Sequence, residues 1–369
     1  MLTISRFPRR IRGLLLLGVC LFALSALPAA PVAASKITKR LDDKLLEFTR
    51  GTLQRTSLSS FKSPSFPDDA KGAVQTIPVN VIRNWERQGY NLPKYLTDLG
   101  AASIGNTIFV LGGLASDDGI TNGTPTADVW SIRIDPANGA PTTNVWFNET
   151  LDLPSVQHSD LPLYSQQETR RTQMAVTAVA TGPDSGYIYV IGGRVQPTGA
   201  PQAISSYAVS IATVAGGHIT SWVSSNTTNL AGLRIPVDPR DPAHLNGLQL
   251  ASAVSHKVGN NTYVYLIGGL ERFPNGSVIQ EVGSNQVYYA RVGTDGMLIK
   301  PSTASTTGWD TLAAPLPIPT PAQNPDLVTS LAGLWDATAL AGTFEFGGTA
   351  SAPNKKDVLY VTGDQYQSE

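Results

Sequence analysis

Cysteine occurs once in 369 residues, at Cys20, methionine three times, and charged residues make up only 15% of the chain. A typical soluble domain is about 25% charged. A single thiol leaves no intrachain disulfide, so stability must come from burial of a core, which suits a large domain and not a small extracellular module. Lys and Arg (27) nearly balance Asp and Glu (28), for a net charge of −1. That balance excludes a basic nucleic-acid binder and an acidic disordered chain, and the scarcity of charge excludes a coiled coil. What abounds is glycine (34) and proline (26), in a chain that is still 41% hydrophobic. Many breakers among many apolar residues suit an all-β protein of short strands and frequent turns. The length allows one large or two average domains.

The first 34 residues have the layout of a secretory signal peptide. Arg6, Arg9, Arg10 and Arg12 precede an apolar run of 14 residues, Leu14–Leu27, and Val32-Ala33-Ala34 then supplies small residues for cleavage after Ala34. The run is short of the roughly 20 residues of a spanning helix. Cleavage removes the four arginines and Cys20, leaving a mature chain of net charge −5 without cysteine. The expectation is an extracytoplasmic protein, secreted or at the cell surface, with no transmembrane helix in the mature chain.

Self-similarity decides the rest. Four strand-forming runs end in glycine: Thr107 to Gly112-Gly113, Tyr187 to Gly192-Gly193, Tyr263 to Gly268-Gly269, and Val358 to Gly363-Asp364. Their first glycines are spaced by 80, 76 and 95 residues. A small-residue or alternating run precedes each of them (Ala101–Ile104, Met174–Val179, Leu250–Val254, Ala337–Leu340), and an aromatic strand follows each complete Gly-Gly, containing Trp130, Tyr207 and Tyr288. Next come Trp146, Trp222 and Trp309, each followed by an apolar-Pro pair: Leu153-Pro154, Ile235-Pro236 and Leu316-Pro317. Trp85 with Leu92-Pro93 reads as the same closing element ahead of the first Gly-Gly. A tryptophan at one repeated position argues for core packing rather than for stacking on a cofactor.

Each unit therefore reads as four antiparallel strands. One such sheet cannot bury both of its faces, but units stacked around an axis bury them against each other. Small residues suit the crowded innermost strand, bulky rings suit the wider periphery, and Gly-Gly suits a sharp exit from a buried strand. The apolar run ending in Gly-Gly, then an aromatic, then a spaced tryptophan, resembles the kelch repeat of β-propellers over roughly residues 74–364. The resemblance implies a kelch-like β-propeller of four-stranded blades, like the central propeller of galactose oxidase. The copper site of that enzyme needs a cysteine cross-linked to a tyrosine, and the mature chain has no cysteine. The unit spacing exceeds the roughly 50 residues of an ordinary kelch unit, so long insertions are implied. The fourth unit departs further: Thr-Gly-Asp replaces the glycine pair, and Phe344-Glu-Phe-Gly347-Gly348 adds a stretch between its first two strands.

The expected organisation is a signal peptide (1–34), a short amphipathic helix and linker (35–73), and a propeller (74–369). Its blades are expected near 97–154, 171–236 and 248–317, with a partial one over 334–369. Ile37, Leu41, Leu45 and Phe48 carry the helical periodicity. Three full blades and parts of another describe an incomplete ring. A second polypeptide or further C-terminal blades are expected to complete it, and an open sheet edge is expected near residues 358–363.

In such a unit the connections after strands two and four emerge on one face, and most of the long polar segments (114–127, 194–202, 270–284; 155–170, 237–247, 318–333) are of these two kinds. That face is the candidate binding surface, with Arg171, Arg194 and Arg272, joined by Arg170, as candidate contacts to an anionic sugar. The four histidines, His158, His218, His244 and His256, show no metal-ligand spacing, and neither Asp117-Asp118-Gly119 nor Asp238-Pro-Arg-Asp241 follows a calcium loop. No nucleophile elbow and no nucleotide glycine loop is present, so no catalytic residue, cofactor or metal is assigned. Asn122, Asn148, Asn226, Asn260 and Asn275 begin glycosylation sequons. The reading is a binding module for glycan or protein. Its rivals are a sugar epimerase or a sialic-acid mutarotase-like propeller, and a structural subunit of an envelope layer.

Overall fold

The computed structural model describes residues 91–116, 123–157, 168–196, 202–225, 228–236, 247–275, 278–303, 305–316, 333–349 and 352–366. The signal peptide, the 35–73 segment and Trp85 lie outside the described residues. Those described are all-β, and among them no helix is long and apolar enough to cross a membrane.

Three antiparallel four-stranded meanders follow one another along the chain. Blade one is β1 (Gly100–Ile104), β2 (Thr107–Leu111), β3 (Val129–Arg133) and β4 (Phe147–Asn148). Blade two is β5 (Ala175–Gly182), β6 (Ser185–Ile191), β7 (Val209–Ala215) and β8 (His218–Ser224). Blade three is β9 (Ser252–Val258), β10 (Asn261–Ile267), β11 (Val287–Val292) and a fourth strand in two pieces, β12 (Leu298–Ile299) and β13 (Asp310–Thr311), both on β11. A long hairpin follows, β14 (Gly333–Thr349) with β15 (Ala352–Tyr366). The innermost strands β1, β5, β9 and β14 pack side by side in that order. This is a propeller-like arc of three full blades and part of a fourth.

Alternation along the strands explains the stacking, because successive side chains leave a strand on opposite faces. In β6, Ile188 and Val190 pack with Phe109 and Leu111 of blade one, whereas Tyr189 and Ile191 pack with Val264 and Leu266 of blade three. All eight are wholly buried, so β6 is a core element on both of its faces. At roughly 1.5–3 kcal/mol per fully buried apolar side chain, these inter-blade layers carry most of the stabilisation.

Indole rings join neighbouring blades in a repeated way. Trp222 Nε1 donates to Leu151 O of the preceding blade at 3.2 Å, and Trp309 Nε1 donates to Leu233 O at 2.8 Å. Leu151 and Leu233 each lie two residues before the apolar-Pro pair of their unit, so the two bonds are structurally equivalent. Trp146 holds the same place in blade one, three residues before Glu149, whose N–H returns to β3 as those of Ser225 and Leu312 return to β7 and β11.

The glycine pairs link one unit to the next. In each pair the first N–H closes its own blade, with Gly112, Gly192 and Gly268 donating to Asp128, Ala208 and Gln286. The second reaches onward, with Gly113, Gly193 and Gly269 donating to the carbonyls of Arg171, Leu248 and Leu334. Both positions require glycine. At Gly192, φ is +64° and an added Cβ would lie 2.1 Å from Leu248 O.

The fourth unit shows what happens without the pair. In blade two, Ala175↔Ile191 and Thr172↔Arg194 leave two residues on each strand between them. In the hairpin, Thr338↔Thr362 and Trp335↔Asp364 leave two residues on β14 but only Gly363 on β15. Thr-Gly-Asp thus lacks one residue of the Gly-Gly exit, and the ladder absorbs the difference as a register shift. The Phe344–Gly348 stretch does not interrupt the unit; it lengthens the hairpin. Among the described residues β15 pairs only with β14.

Candidate functional site

The connections after strands two and four gather on one face, where they form small sheets of their own. Leu114–Ser116 pairs with Tyr95–Thr97 on one side and Thr124–Pro125 on the other, and Arg194–Val195 likewise lies between Arg171–Thr172 and Ile204–Ser205. In the third unit Leu270–Asn275 pairs with Val278–Gly283, and Gln249 bridges to Leu270. Each small sheet leads directly into an innermost strand, so this face is anchored at the centre of the arc.

At that junction every unit places a non-glycine residue in the left-handed region: Asp98, Gln173, Leu250 and Asp336, with φ of 54°, 54°, 55° and 51°. They are the only described non-glycine residues with positive φ. Each such conformation costs of order 1–3 kcal/mol and persists only where the surroundings impose it. Here a relay of backbone bonds imposes it. Gln173 N donates to Asp98 O at 2.8 Å, Leu250 N to Gln173 O at 3.0 Å, and Asp336 N to Leu250 O at 2.9 Å. Gln173 Nε2 also donates to Asp98 Oδ2 at 3.1 Å. Three of the four rim side chains are polar, and none is buried. Sequence reasoning did not find this rim. Asp, Gln, Leu and Asp share no property, and tertiary hydrogen bonds rather than residue preference hold the conformation.

Three of the candidate arginines are placed differently. Arg171 is wholly buried and so does not reach the surface. Its guanidinium lies against Val190 O, Gly192 O and Ala208 O, and its Nη2 donates to Ser210 Oγ at 2.7 Å, so it braces blade two from within. Burial lowers its pKa to about 9. Arg272 is held by Glu281 across its hairpin, Nε to Oε1 3.3 Å, and donates from Nη2 to Gln202 Oε1 at 2.8 Å. Arg194 is half-buried, pairs through its backbone with Thr172 beside the rim, and has no side-chain partner among the described residues. Of the three, Arg194 is the one available to a ligand.

A second charged group lies on this face beside blade one. Lys94 Nζ is 2.9 Å from Asp128 Oδ2, and Arg170 donates to Pro125 O. Burial alone would raise the Asp128 pKa, but hydrogen bonds from Lys94 and Thr126, with Lys94 and Arg170 charge, lower it overall. Burial and then the charge of Asp128 raise that of Asp152.

The described histidines are structural partners. His218 Nδ1 lies 3.2 Å from the buried Glu149, which also accepts from Ser131 Oγ and Ile219 N and so ties blade one to blade two. His256 Nε2 lies 2.9 Å from Asp357 Oδ1 and ties blade three to the hairpin. His158, His244, Asp117, Asp118, Asp238 and Asp241 lie outside the described residues, as do Asn122 and Asn226. Asn148 and Asn260 are exposed. Among the described residues no three His, Cys, Asp or Glu side chains gather to hold a metal.

Fold and face together define a propeller-like all-β scaffold with a polar central rim. No family model matches the chain, and no curated protein matches it. Among solved structures it is similar to that of YjhT, at 12% identity over 77% of this chain and 69% of that one, with a TM-score of 0.39.

Proposed function

We propose that this chain is a secreted or cell-surface binding module that takes a glycan or protein ligand on its long-loop face, centred on the rim. The observation that carries this reading is the relay of Asp98, Gln173, Leu250 and Asp336. Four strained backbones at one repeat position present two carboxylates and an amide at the mouth of the arc, with Arg194 on the adjoining strand. Carboxylates and amides are the groups that bind sugar hydroxyls or peptide amides, and rigid strands hold them in place. Export follows from residues 1–34, and N-terminal sequencing of the secreted chain should begin at Ser35.

A glycan array with the mature chain, followed by calorimetry on each hit, tests the binding reading. Asp98→Asn and Asp336→Asn remove each charge but keep a side chain that tolerates positive φ. They are expected to weaken a true ligand at least tenfold, with the unfolding midpoint of each variant measured to separate lost binding from lost rim contacts. A ligand indifferent to both variants and to Arg194→Ala, or an array and a protein-ligand screen that are both empty, would overturn it.

A further inference from the structure

The rim is short of cations. Arg171 is wholly buried against carbonyls inside blade two, and Arg272 is held by Glu281 and Gln202. The rim itself presents the exposed Asp336 and the half-buried Asp98, and Arg194 is the cation on the adjoining strand. The surrounding connections lean the same way. The six long segments after second and fourth strands (114–127, 155–170, 194–202, 237–247, 270–284 and 318–333) contain nine acidic residues, four arginines and no lysine. That excess of five equals the whole net charge of residues 35–369, which hold 23 basic and 28 acidic side chains. With Asp98 and Asp336 counted, the acidic excess lies entirely on this face. Carboxylates gathered around a fixed rim attract cations and repel anions. The crowding shows beside blade one, where burial and then the charge of Asp128 raise the Asp152 pKa.

A second, independent observation is a missing donor. Gln249, next to Leu250 of the rim, is 3% exposed, and its Oε1 takes no hydrogen bond among the described residues. Its backbone is already used, because Gln249 and Leu270 exchange both of their main-chain bonds. Only the side-chain acceptor is left over. A buried acceptor without a donor is destabilising, and a ligand rich in N–H groups relieves it. Rim and amide therefore favour the same partner, a cation that carries several N–H donors.

We propose that the rim takes a glycan built of amino sugars. Ring ammonium groups meet the carboxylates of Asp98 and Asp336, and one of them supplies the donor that Gln249 lacks. This names the ligand class of the site proposed above and rests on that reading. It also reverses the anionic sugar that the arginines suggest in the sequence. A lysine-rich peptide carries the same charge but is the poorer match. Its long side chains bury apolar stems against apolar walls, and Leu250 is the one apolar residue of the rim.

Calorimetry on the full chain compares tetramers of glucosamine, N-acetylglucosamine and glucuronic acid in one linkage at about pH 6, where a sugar-ring amine is cationic. The glucosamine tetramer is expected to bind at least about tenfold tighter than the other two, and more weakly as salt is raised. Asp98→Asn and Asp336→Asn should each erase most of that preference. Arg194→Gln, which removes the cation beside the rim, should instead tighten the glucosamine tetramer, a gain that a damaged fold does not produce. If either of the other tetramers binds as tightly and Asp98→Asn weakens it, the amino-sugar class is overturned while the rim stands as a site. Oligolysine binding that the same variants abolish, with no tetramer bound, overturns the class in favour of a basic peptide. If none of the four probes binds, the class falls as well, and the glycan array and protein screen then decide the rim.

Discussion

Arg171 donates from Nη2 to Ser210 Oγ at 2.7 Å inside blade two, where the other blades hold an apolar pair. By register Arg171 corresponds to Leu96 and Leu248, and Ser210 to Trp130 and Tyr288. A long cation over a small hydroxyl stands where the other blades have a leucine and a large ring. Charge is introduced and, because Arg and Leu are similar in size while Ser is far smaller than Trp or Tyr, side-chain volume is reduced. Because burial holds the Arg171 pKa near 9 against 12.5 when solvated, the buried cation costs stability at neutral pH. That cost is relieved only as pH rises through about 9. Arg171→Ala is expected to destabilise by about 2–4 kcal/mol through the void it leaves, and Ser210→Tyr alone by about 1–3 kcal/mol through overpacking. The double variant Arg171→Leu, Ser210→Ala, which removes the buried charge and the hydroxyl it bonds at nearly constant volume, should unfold at a higher denaturant midpoint than Arg171→Ala. A double variant no more stable than Arg171→Ala would show that replacing the buried charge at constant volume brings no relief.

The two indole bonds differ in burial, and that ranks them. Trp309 is 5% exposed, whereas Trp222 is half-buried with its bond near solvent. Trp309→Phe should cost about 1–3 kcal/mol, leaving Leu233 O unsatisfied inside the blade interface. Trp222→Phe should cost less than about 1 kcal/mol, since water can replace the indole at Leu151 O. Guanidinium unfolding of the two variants checks the order, and equal losses would show that packing alone matters.

Much of this architecture is legible in the amino-acid sequence because the elements that make a blade are local. Tyr187–Ile191 and Tyr263–Ile267 alternate β-branched and aromatic residues, Gly192-Gly193 marks the exit, and Trp222 and Trp309 mark the outer strand. All four features return in the structure in equivalent hydrogen bonds. The site was much less legible. Arg171 reads as a surface cation until its register places it opposite Ser210, and no local pattern reveals that a leucine position has been exchanged. The rim of Asp98, Gln173, Leu250 and Asp336 is a property of bonds between units separated by more than seventy residues.

Glycine pairs divide into those that connect units and those that only turn, and substitution separates them. Gly192 has φ of +64°, and an added Cβ would lie 2.1 Å from Leu248 O; Gly216 has φ of +61° with open space around it. Gly216→Ala should cost only the left-handed penalty, about 1–2 kcal/mol. Gly192→Ala must also displace the backbone that carries the bond from Gly193 to the next unit, so its cost should exceed that of Gly216→Ala by at least about 1 kcal/mol. Thermal unfolding of both variants measures the difference.

The hairpin β14–β15 is held to blade three by a contact that acid should release. Thr343 Oγ1 donates to Asp357 Oδ1 at 2.6 Å, and His256 Nε2 lies 2.9 Å from the same oxygen. Those two contacts, Thr343 first, lower the Asp357 pKa from its ordinary 3.8. A carboxyl whose folded pKa is lowered stabilises the fold above its unfolded value, and that contribution disappears as pH falls through the folded one. The loss therefore falls below pH 3.8, not near neutrality. The Ala339 amide, bonded to Ser252 Oγ at 2.9 Å, reports whether the hairpin stays docked. Its hydrogen-exchange protection, corrected for the intrinsic rate, should fall as pH drops below 3.8. In Asp357→Asn it should be lower throughout and lack that step. A step that persists in Asp357→Asn would assign the acid response to another group.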